Sequence, residues 1–172
     1  METIALIPEA QLARTEFRQR AACPELWALL DEVKDPEIPV LSLWDLGILQ
    51  DVSRQGETVT VVITPTYCGC PAMAEIERDI RTTLARAGYD SVAVQLRLSP
   101  AWSSDWLSAE GRKRLQAYGI APPLAAAANR VVKCPRCGAE NTAPISEFGS
   151  TACKALYKCN ECLEPFDYFK SI

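Results

Sequence analysis

The chain has 172 residues, of which 48% are hydrophobic, so it can bury the core of one ordinary domain plus a small appendage. Its 18 basic and 22 acidic residues give a formal net charge of -4, which argues against nucleic acid as a partner. No run approaches the roughly 18 apolar residues that span a bilayer, and no basic segment leads into an apolar run at the N-terminus. We therefore expect a cytoplasmic protein with neither a membrane nor a nucleic-acid partner.

The histidine and cysteine contents narrow the chemistry further. The sequence contains no histidine, so catalytic triads and metal sites that use imidazole cannot be built from this chain alone. Six of the eight cysteines occur in close pairs, as Cys-x-Cys or Cys-x-x-Cys. Because no secretion signal is evident, this pairing indicates metal and thiol chemistry and not a disulfide framework.

The N-terminal extension is predicted to carry no chemistry of its own. Three arginines recur there on one face of a possible helix, which is typical of a solvated surface. From Pro24 onward, apolar residues at helical spacing predict an amphipathic helix. Pro36 ends this helix, because the residue before a proline disfavours the helical conformation.

A small α+β domain is predicted next. Alternating and β-branched residues predict a β-hairpin, which is followed by a helix and a third strand. The predicted strands span residues 46–52, 58–64 and 92–98, and the predicted helix spans residues 71–87. The resulting α-β-β-α-β order describes a small mixed sheet with helices on one face.

The pattern changes after the third strand. A further helix is predicted from Ser104 to about Tyr118, and an alanine-rich linker follows it. We therefore divide the chain into an N-terminal extension, an α+β domain, a helix with a linker, and a cysteine-rich domain. Their bounds are residues 1–23, 24–100, 101–129 and 130–172, and the linker itself spans residues 124–129.

The segment between the second strand and the following helix carries Cys68-Gly69-Cys70-Pro71. Proline favours the first helical position, so we place Cys70 at or beside the N-cap of that helix. Unpaired amides and the helix dipole favour a thiolate there, so we expect a lowered pKa for Cys70 and a better nucleophile and metal ligand. The alternative is that both cysteines fill a crowded turn.

Two Cys-x-x-Cys pairs near the C-terminus are the most specific signal in the sequence. Each pair points two sulfurs at one cation, and the two pairs together form the tetrahedral set that Zn²⁺ accepts. The four residues are Cys134, Cys137, Cys159 and Cys162. We favour zinc over a rubredoxin-like iron site with the same ligands, because a closed four-thiolate site needs no redox chemistry. A segment this short depends on its metal for folding, and its near-neutral charge favours protein docking over reading nucleic acid.

The two remaining cysteines stand alone. Cys23 is expected to be structural. Cys153 is a surplus fifth thiol in the cysteine-rich domain, either a packing residue or a reactive thiol beside Lys154. The sequence does not choose between these two interpretations.

Two groups of motifs carry a resemblance to known families. The α+β domain resembles the metal-sulfur cluster assembly family that includes SufT and the eukaryotic cytosolic iron-sulfur targeting subunit. The motifs that carry this resemblance are Asp35-Pro36-Glu37, Ser42, Asp45-Leu46-Gly47 and the run from Thr64 to Pro71. Residues 145–157 and 164–170, joined to the four cysteines, are similar to the PaaD (PaaJ) family of accessory subunits of bacterial phenylacetyl-CoA epoxidase.

This resemblance implies a role in phenylacetate degradation in the bacterial cytoplasm. The implied partner is a multicomponent monooxygenase, with a di-iron subunit that epoxidises the CoA-activated ring and a reductase that carries flavin and a 2Fe-2S cluster. Members of the family are expected to help load or maintain metal in that system and not to perform the oxygenation. Zinc is then a structural ion, and iron or a 2Fe-2S cluster is transient cargo.

The resemblance also assigns candidate site residues. The family's cysteine falls on Cys70, its acidic pair on Asp35 and Glu37, and its second acidic position on Asp45. Cys68 occupies a position at which a relative's residue need not be cysteine, so its part in handling iron or a cluster follows less directly.

Other functions remain open at this stage. The chain could be a structural subunit that bridges the oxygenase components through the zinc ribbon, or a thiol redox protein that uses Cys68 and Cys70. Activity as an enzyme by itself has the least support, because no catalytic constellation, phosphate loop or dinucleotide fingerprint is found in the sequence. Whether the chain forms a homodimer also stays open.

Overall fold

The computed structural model describes residues 7–124 and 131–172. The helices are α1 (Glu9–Gln19), α2 (Pro24–Leu30), α3 (Met73–Arg86) and α4 (Ala109–Tyr118), with a 3-10 turn at Ser104–Trp106. The strands are β1 (Leu49–Gln55), β2 (Thr58–Ile63), β3 (Ser91–Leu96), β4 (Ile120–Ala121), β5 (Thr142–Ser146), β6 (Lys154–Cys159) and β7 (Pro165–Phe169).

The first sheet has the order β1-β2-β3 and confirms the predicted α+β fold. β1 and β2 form an antiparallel hairpin, and β3 returns through α3 to lie parallel to β2. The hairpin turn is tighter than predicted, with Gly56 at φ +59°. The first strand begins at Leu49 and not at residue 46, because the carbonyl of Leu43 accepts hydrogen bonds from the N–H groups of Ile48 and Leu49. Gly47, at φ +77°, turns the chain just before this point, and a Cβ there would lie 2.8 Å from Cβ of Trp106.

The main core lies between this sheet and the helices. α2 and α3 pack against each other and bury apolar side chains against β2. The fully buried residues here are Leu26, Leu30, Ile76, Ile80, Leu84, Val59 and Val61. The prediction for β3 was wrong at its end, since Leu96 and Leu98 are 56% and 57% exposed. Only Val92 and Val94 of that alternating set contact the core, because β3 is an edge strand that ends at residue 96.

The predicted helix of residues 104–118 is interrupted. Leu107 adopts an extended conformation, φ -59° and ψ 134°, between the 3-10 turn and α4. Ser108 then caps α4 by accepting a hydrogen bond from the N–H of Gly111. Gly119, at φ +92°, ends the helix as the sequence predicts.

The second sheet has the order β4-β7-β6-β5 and forms the C-terminal ribbon. Its first strand, β4, comes from the segment predicted as helix and linker, and it pairs in parallel with β7. Of the predicted linker, only Leu124 lies within the described residues. Phe169 and Cys153 of the ribbon belong to the main core, and the rings of Trp102 and Phe169 are 5.9 Å apart. The ribbon and the α+β domain therefore share one apolar core.

Helix α1 is less solvated than its sequence predicts. Arg14 donates hydrogen bonds to the carbonyl oxygens of Trp106 and Leu49, and its guanidinium lies 4.5 Å from the ring centre of Trp44. Burial, with repulsion from Arg18 as the smaller cause, lowers the pKa of Arg14 to about 10. Within residues 7–124 and 131–172, no helix is long and apolar enough to cross a bilayer.

Candidate metal and thiol sites

The ribbon holds the four predicted cysteines as one cluster. The sulfur of Cys134 lies 3.7 Å from that of Cys162, and the sulfur of Cys137 lies 3.6 Å from that of Cys159. All four sulfurs lie within 4.8 Å of one another. A tetrahedral zinc site with Zn–S bonds of about 2.3 Å places its sulfurs about 3.8 Å apart. The thiols therefore fit a four-coordinate Zn²⁺ site.

Two tight turns position these thiols. The N–H of Gly138 donates to the carbonyl of Cys134, and the N–H of Cys159 donates to the carbonyl of Glu164. The N–H of Cys162 points at the sulfur of Cys159, at 3.5 Å. This contact is the main cause that lowers the pKa of Cys159 to about 7. The turn thus favours the thiolate that a metal ion needs.

A second site is a small enclosed pocket of about 20 Å³, which we call the Cys70 pocket. Three segments of the chain form it: the proline-rich loop after α2, the turn before α3, and a loop of the ribbon. Its polar and thiol-bearing lining residues are Asp35, Glu37, Thr66, Tyr67, Cys70, Thr151 and Cys153. Its apolar wall includes Ile38, Ile48 and Phe169.

Asp35 is held rigidly at the wall of the Cys70 pocket. Its Oδ1 accepts hydrogen bonds from the N–H groups of Glu37, at 2.9 Å, and Ile38, at 2.8 Å. Burial raises the pKa of the Asp35 carboxyl, because the loss of water outweighs these two hydrogen bonds. In the part of the chain that the structure describes, no donor is bonded to its other oxygen, Oδ2. Asp35 therefore offers one oxygen to a ligand.

The structure corrects the prediction for Cys70. Helix α3 begins at Met73 with Ala72 as its N-cap, so Cys70 precedes the N-cap by two residues. Burial is the main cause that raises the pKa of the half-buried Cys70 thiol, and Asp35 and Glu37 raise it further. The backbone N–H of Ala72 and the hydroxyl of Tyr67 oppose this shift without overcoming it. The predicted lowering of the pKa is wrong, because the helix starts later and carboxylates surround the thiol.

Cys153 of the ribbon reaches the same pocket. It is 8% exposed, its sulfur lies 3.0 Å from Oγ1 of Thr151, and burial raises its pKa. Its neighbour Lys154 is buried and pairs with Asp167, with 3.2 Å between Nζ and Oδ2. No sequence pattern places Cys153 beside Cys70, because its only signal is that it is a surplus cysteine.

The structure leaves Cys68 and Asp45 outside the Cys70 pocket. Cys68 is exposed, and Gly69, at φ +83°, turns the chain between it and Cys70. Asp45 is buried, and its Oδ1 accepts a hydrogen bond from the hydroxyl of Ser108 at 2.6 Å. Its Oδ2 contacts Arg114 at 3.1 Å. The carboxylate of Asp45 therefore ties the loop before β1 to α4.

Two family models match the chain in the two regions that carry these sites. Residues 24–96 match the iron-sulfur cluster assembly protein family, and residues 121–170 match the PaaD zinc beta ribbon domain. A 1,2-phenylacetyl-CoA epoxidase subunit of Escherichia coli (strain K12) is 49% identical over 152 residues, which are 86% of this chain and 92% of that protein. This chain belongs to the PaaD family of phenylacetyl-CoA epoxidase subunits. The expected family is thereby confirmed.

Further likenesses concern the α+β domain of this PaaD-family chain. The Fe-S protein maturation auxiliary factor of Porphyromonas gingivalis (strain ATCC BAA-308 / W83) is 36% identical over 89 residues, which are 51% of this chain and 84% of that protein. The crystal structure of the DUF59 domain from Bacillus anthracis superposes with a TM-score of 0.50 at 24% identity. The match covers 60% of this chain and 95% of that chain, and it supports the fold alone.

Proposed function

We propose that this protein is an accessory factor for the maturation of phenylacetyl-CoA epoxidase in phenylacetate degradation in the bacterial cytoplasm, and that it handles iron through Cys70. Its membership in the PaaD family and its match to iron-sulfur assembly proteins support this proposal. Its partners are then the di-iron oxygenase subunits and the reductase of that system. The observation that carries the proposal is that Cys70, Asp35 and Glu37 line one pocket.

The electrostatics of the Cys70 pocket support the handling of a cation. Burial and mutual repulsion disfavour the charged forms of Cys70 and Asp35. A divalent cation reverses this, because it attracts the thiolate and the carboxylate that otherwise repel each other. These groups are too few to enclose an ion completely, and such open coordination suits a protein that must release iron to another.

The ribbon has a different part in the proposal. Its four thiols would hold Zn²⁺, which has no redox chemistry and fills a closed tetrahedral site. Such an ion stabilises a small domain that buries little apolar surface of its own. The ribbon is then a structural element that stays metallated while iron passes through the other site.

The proposal is tested in cells that carry only the Cys70→Ala variant. We expect oxygenase purified from these cells to contain much less iron and to be correspondingly less active than oxygenase from wild-type cells. Cys68→Ala is the matched control, because Cys68 lies in the same turn but is exposed and outside the pocket. Fully metallated, active oxygenase from the Cys70→Ala cells would overturn the proposal.

A second candidate is a subunit that bridges the oxygenase components through the ribbon. The observation that favours it is that Ile145, Phe148 and Leu163 of the ribbon are 53%, 65% and 80% exposed. If the ribbon docks on the oxygenase through these side chains, the double variant Phe148→Ser and Leu163→Ser should lose co-purification with it. Cys70→Ala would then leave activity unchanged, which separates the two functions.

A further inference from the structure

The Cys70 pocket is built by both parts of the chain. The α+β domain contributes Cys70 and Asp35 to its wall, and the ribbon contributes Thr151 and Cys153 from the loop before β6. The contact of Cys153 with the main core holds this loop in place. Two thiols and a carboxylate therefore line a cavity that neither part forms alone.

We propose that this pocket binds one thiophilic divalent metal ion, Fe²⁺ as cargo, with Cys153 of the ribbon as a second thiolate ligand beside Cys70 and Asp35. The inference rests on the proposed function, in which Cys70 handles iron, and it adds the second ligand and the form of the cargo. Thiolate ligands select soft or borderline metals, and a carboxylate oxygen keeps Fe²⁺ among them.

The size of the cavity limits what it can hold. Its volume of about 20 Å³ corresponds to roughly one water molecule, since a cavity of about 10–15 Å³ on this measure is the smallest that takes one. A single metal ion fits such a space. A 2Fe-2S cluster adds two iron and two sulfide atoms, so it would have to force the walls apart. The pocket therefore favours a single ion over an assembled cluster.

The binding step balances without a redox partner. Two neutral thiols and one divalent ion give a dithiolate complex and release two protons, and the ion keeps its oxidation state. Oδ2 of Asp35, which has no hydrogen-bond donor among the described residues, can serve as a third ligand. The coordination sphere then remains incomplete, so that a recipient's ligand can attack the ion.

The pocket must contract when it binds the ion. Apart from the ribbon set, no three cysteine or carboxylate ligand atoms within residues 7–124 and 131–172 lie within 4.8 Å of one another. Moving the ribbon loop toward Cys70 costs free energy, which weakens binding. A weak site is expected for a carrier, in contrast to the ribbon cluster, whose sulfurs already stand at the distances of a zinc site.

The test uses Co²⁺ as the probe, added under anaerobic conditions to full-length protein whose ribbon is saturated with zinc. Thiolate-to-cobalt charge-transfer absorption reports each Co–S bond, and zinc per chain is measured before and after. We expect one cobalt bound beyond the zinc, with the intensity of two thiolates. In Cys153→Ser the intensity per cobalt should fall by about half. Its affinity should fall at least as much as the about 10–100-fold caused by losing a residue that hydrogen-bonds to a metal ligand.

A second measurement keeps the inference falsifiable if Cys153→Ser does not fold. In the wild-type protein, Co²⁺ should slow alkylation of both Cys70 and Cys153 by N-ethylmaleimide, as followed by mass spectrometry. Cys68 is the internal control, because its exposed thiol should react at the same rate with and without cobalt. Protection of Cys70 alone, or an unchanged cobalt spectrum in folded Cys153→Ser, would overturn the inference.

The two proposals fail in different ways. If cobalt binds both thiols but cells with Cys70→Ala still make fully metallated oxygenase, the proposed function fails and the metal site stands. If Cys70→Ala depletes oxygenase iron but Cys153→Ser changes neither cobalt binding nor oxygenase iron, the function stands and the second ligand is wrong.

Discussion

The ribbon cluster and the Cys70 pocket use the same thiol chemistry in opposite ways. In the ribbon, four sulfurs already stand within 4.8 Å of one another, and a backbone N–H favours the thiolate of Cys159. In the Cys70 pocket, the thiol is buried beside carboxylates, and its pKa is raised. The comparison shows that a preformed set of ligands suits a resident ion, whereas an incomplete set in a strained electrostatic environment suits an ion in transit.

Loss of the ribbon metal should have the largest effect. Structural zinc contributes about 10–16 kcal/mol of apparent binding free energy in small zinc domains near pH 7. We therefore expect Cys134→Ser to unfold β5, β6 and β7, seen as loss of amide hydrogen-exchange protection in these strands. The matched comparison is Cys70→Ser, which should keep the same strands protected. Equal protection in both variants would show that the ribbon folds without its ion.

The packing of the ribbon on the main core should give the next largest effect. Phe169 is fully buried there, so Phe169→Ala should reduce the free energy of unfolding by about 3–5 kcal/mol. Phe148→Ala is the control in the same domain, because its 65% exposed ring should change stability by less than about 0.5 kcal/mol. Denaturant unfolding of the zinc-loaded variants measures both values. Similar values for the two phenylalanines would contradict the shared core.

Asp45 should matter for stability and not for metal. Asp45→Asn weakens charge-assisted contacts with Ser108 and Arg114, so we expect the free energy of unfolding to fall by about 1–3 kcal/mol. Cobalt binding to the zinc-loaded variant should equal that of the wild type. A clear loss of cobalt affinity at unchanged stability would place Asp45 in the iron site after all.

The smallest effect is a displacement of one titration. Only the thiolate is alkylated, and the pKa of Cys70 is raised above its ordinary value of 9.0 by burial and by nearby carboxylates. In a Cys68→Ser background, the iodoacetamide reaction rate at Cys70, followed by mass spectrometry, should therefore still rise as the pH passes 9. A rate that levels off near pH 7 would instead indicate the lowered pKa that the sequence predicts.

Much of the fold follows from local patterns in the sequence. Residue periodicity predicts the hairpin, α3 and β3, because each element buries one regular face in the core. The four ribbon ligands also follow from spacing alone. The edge position of β3 does not, since exposure of Leu96 depends on which strands lie beside it.

The candidate site was harder to predict than the fold. The motif before α3 identifies Cys70, but its pKa depends on where the helix begins and on a carboxylate from a distant loop. The position of Cys153 depends on how the ribbon docks on the α+β domain, which no local pattern encodes. Asp45 illustrates the opposite error, because a motif residue that resemblance assigns to iron is occupied by Ser108 and Arg114.

The shared core of ribbon and α+β domain makes one metal a condition for handling the other. Because Phe169 and Cys153 complete the wall of the Cys70 pocket, a chain that has not yet acquired zinc would present only half of that wall. We therefore expect zinc-starved cells to show the same iron shortage in the oxygenase as cells that lack the protein. The supply of a redox-inert ion would then gate the assembly of a redox enzyme.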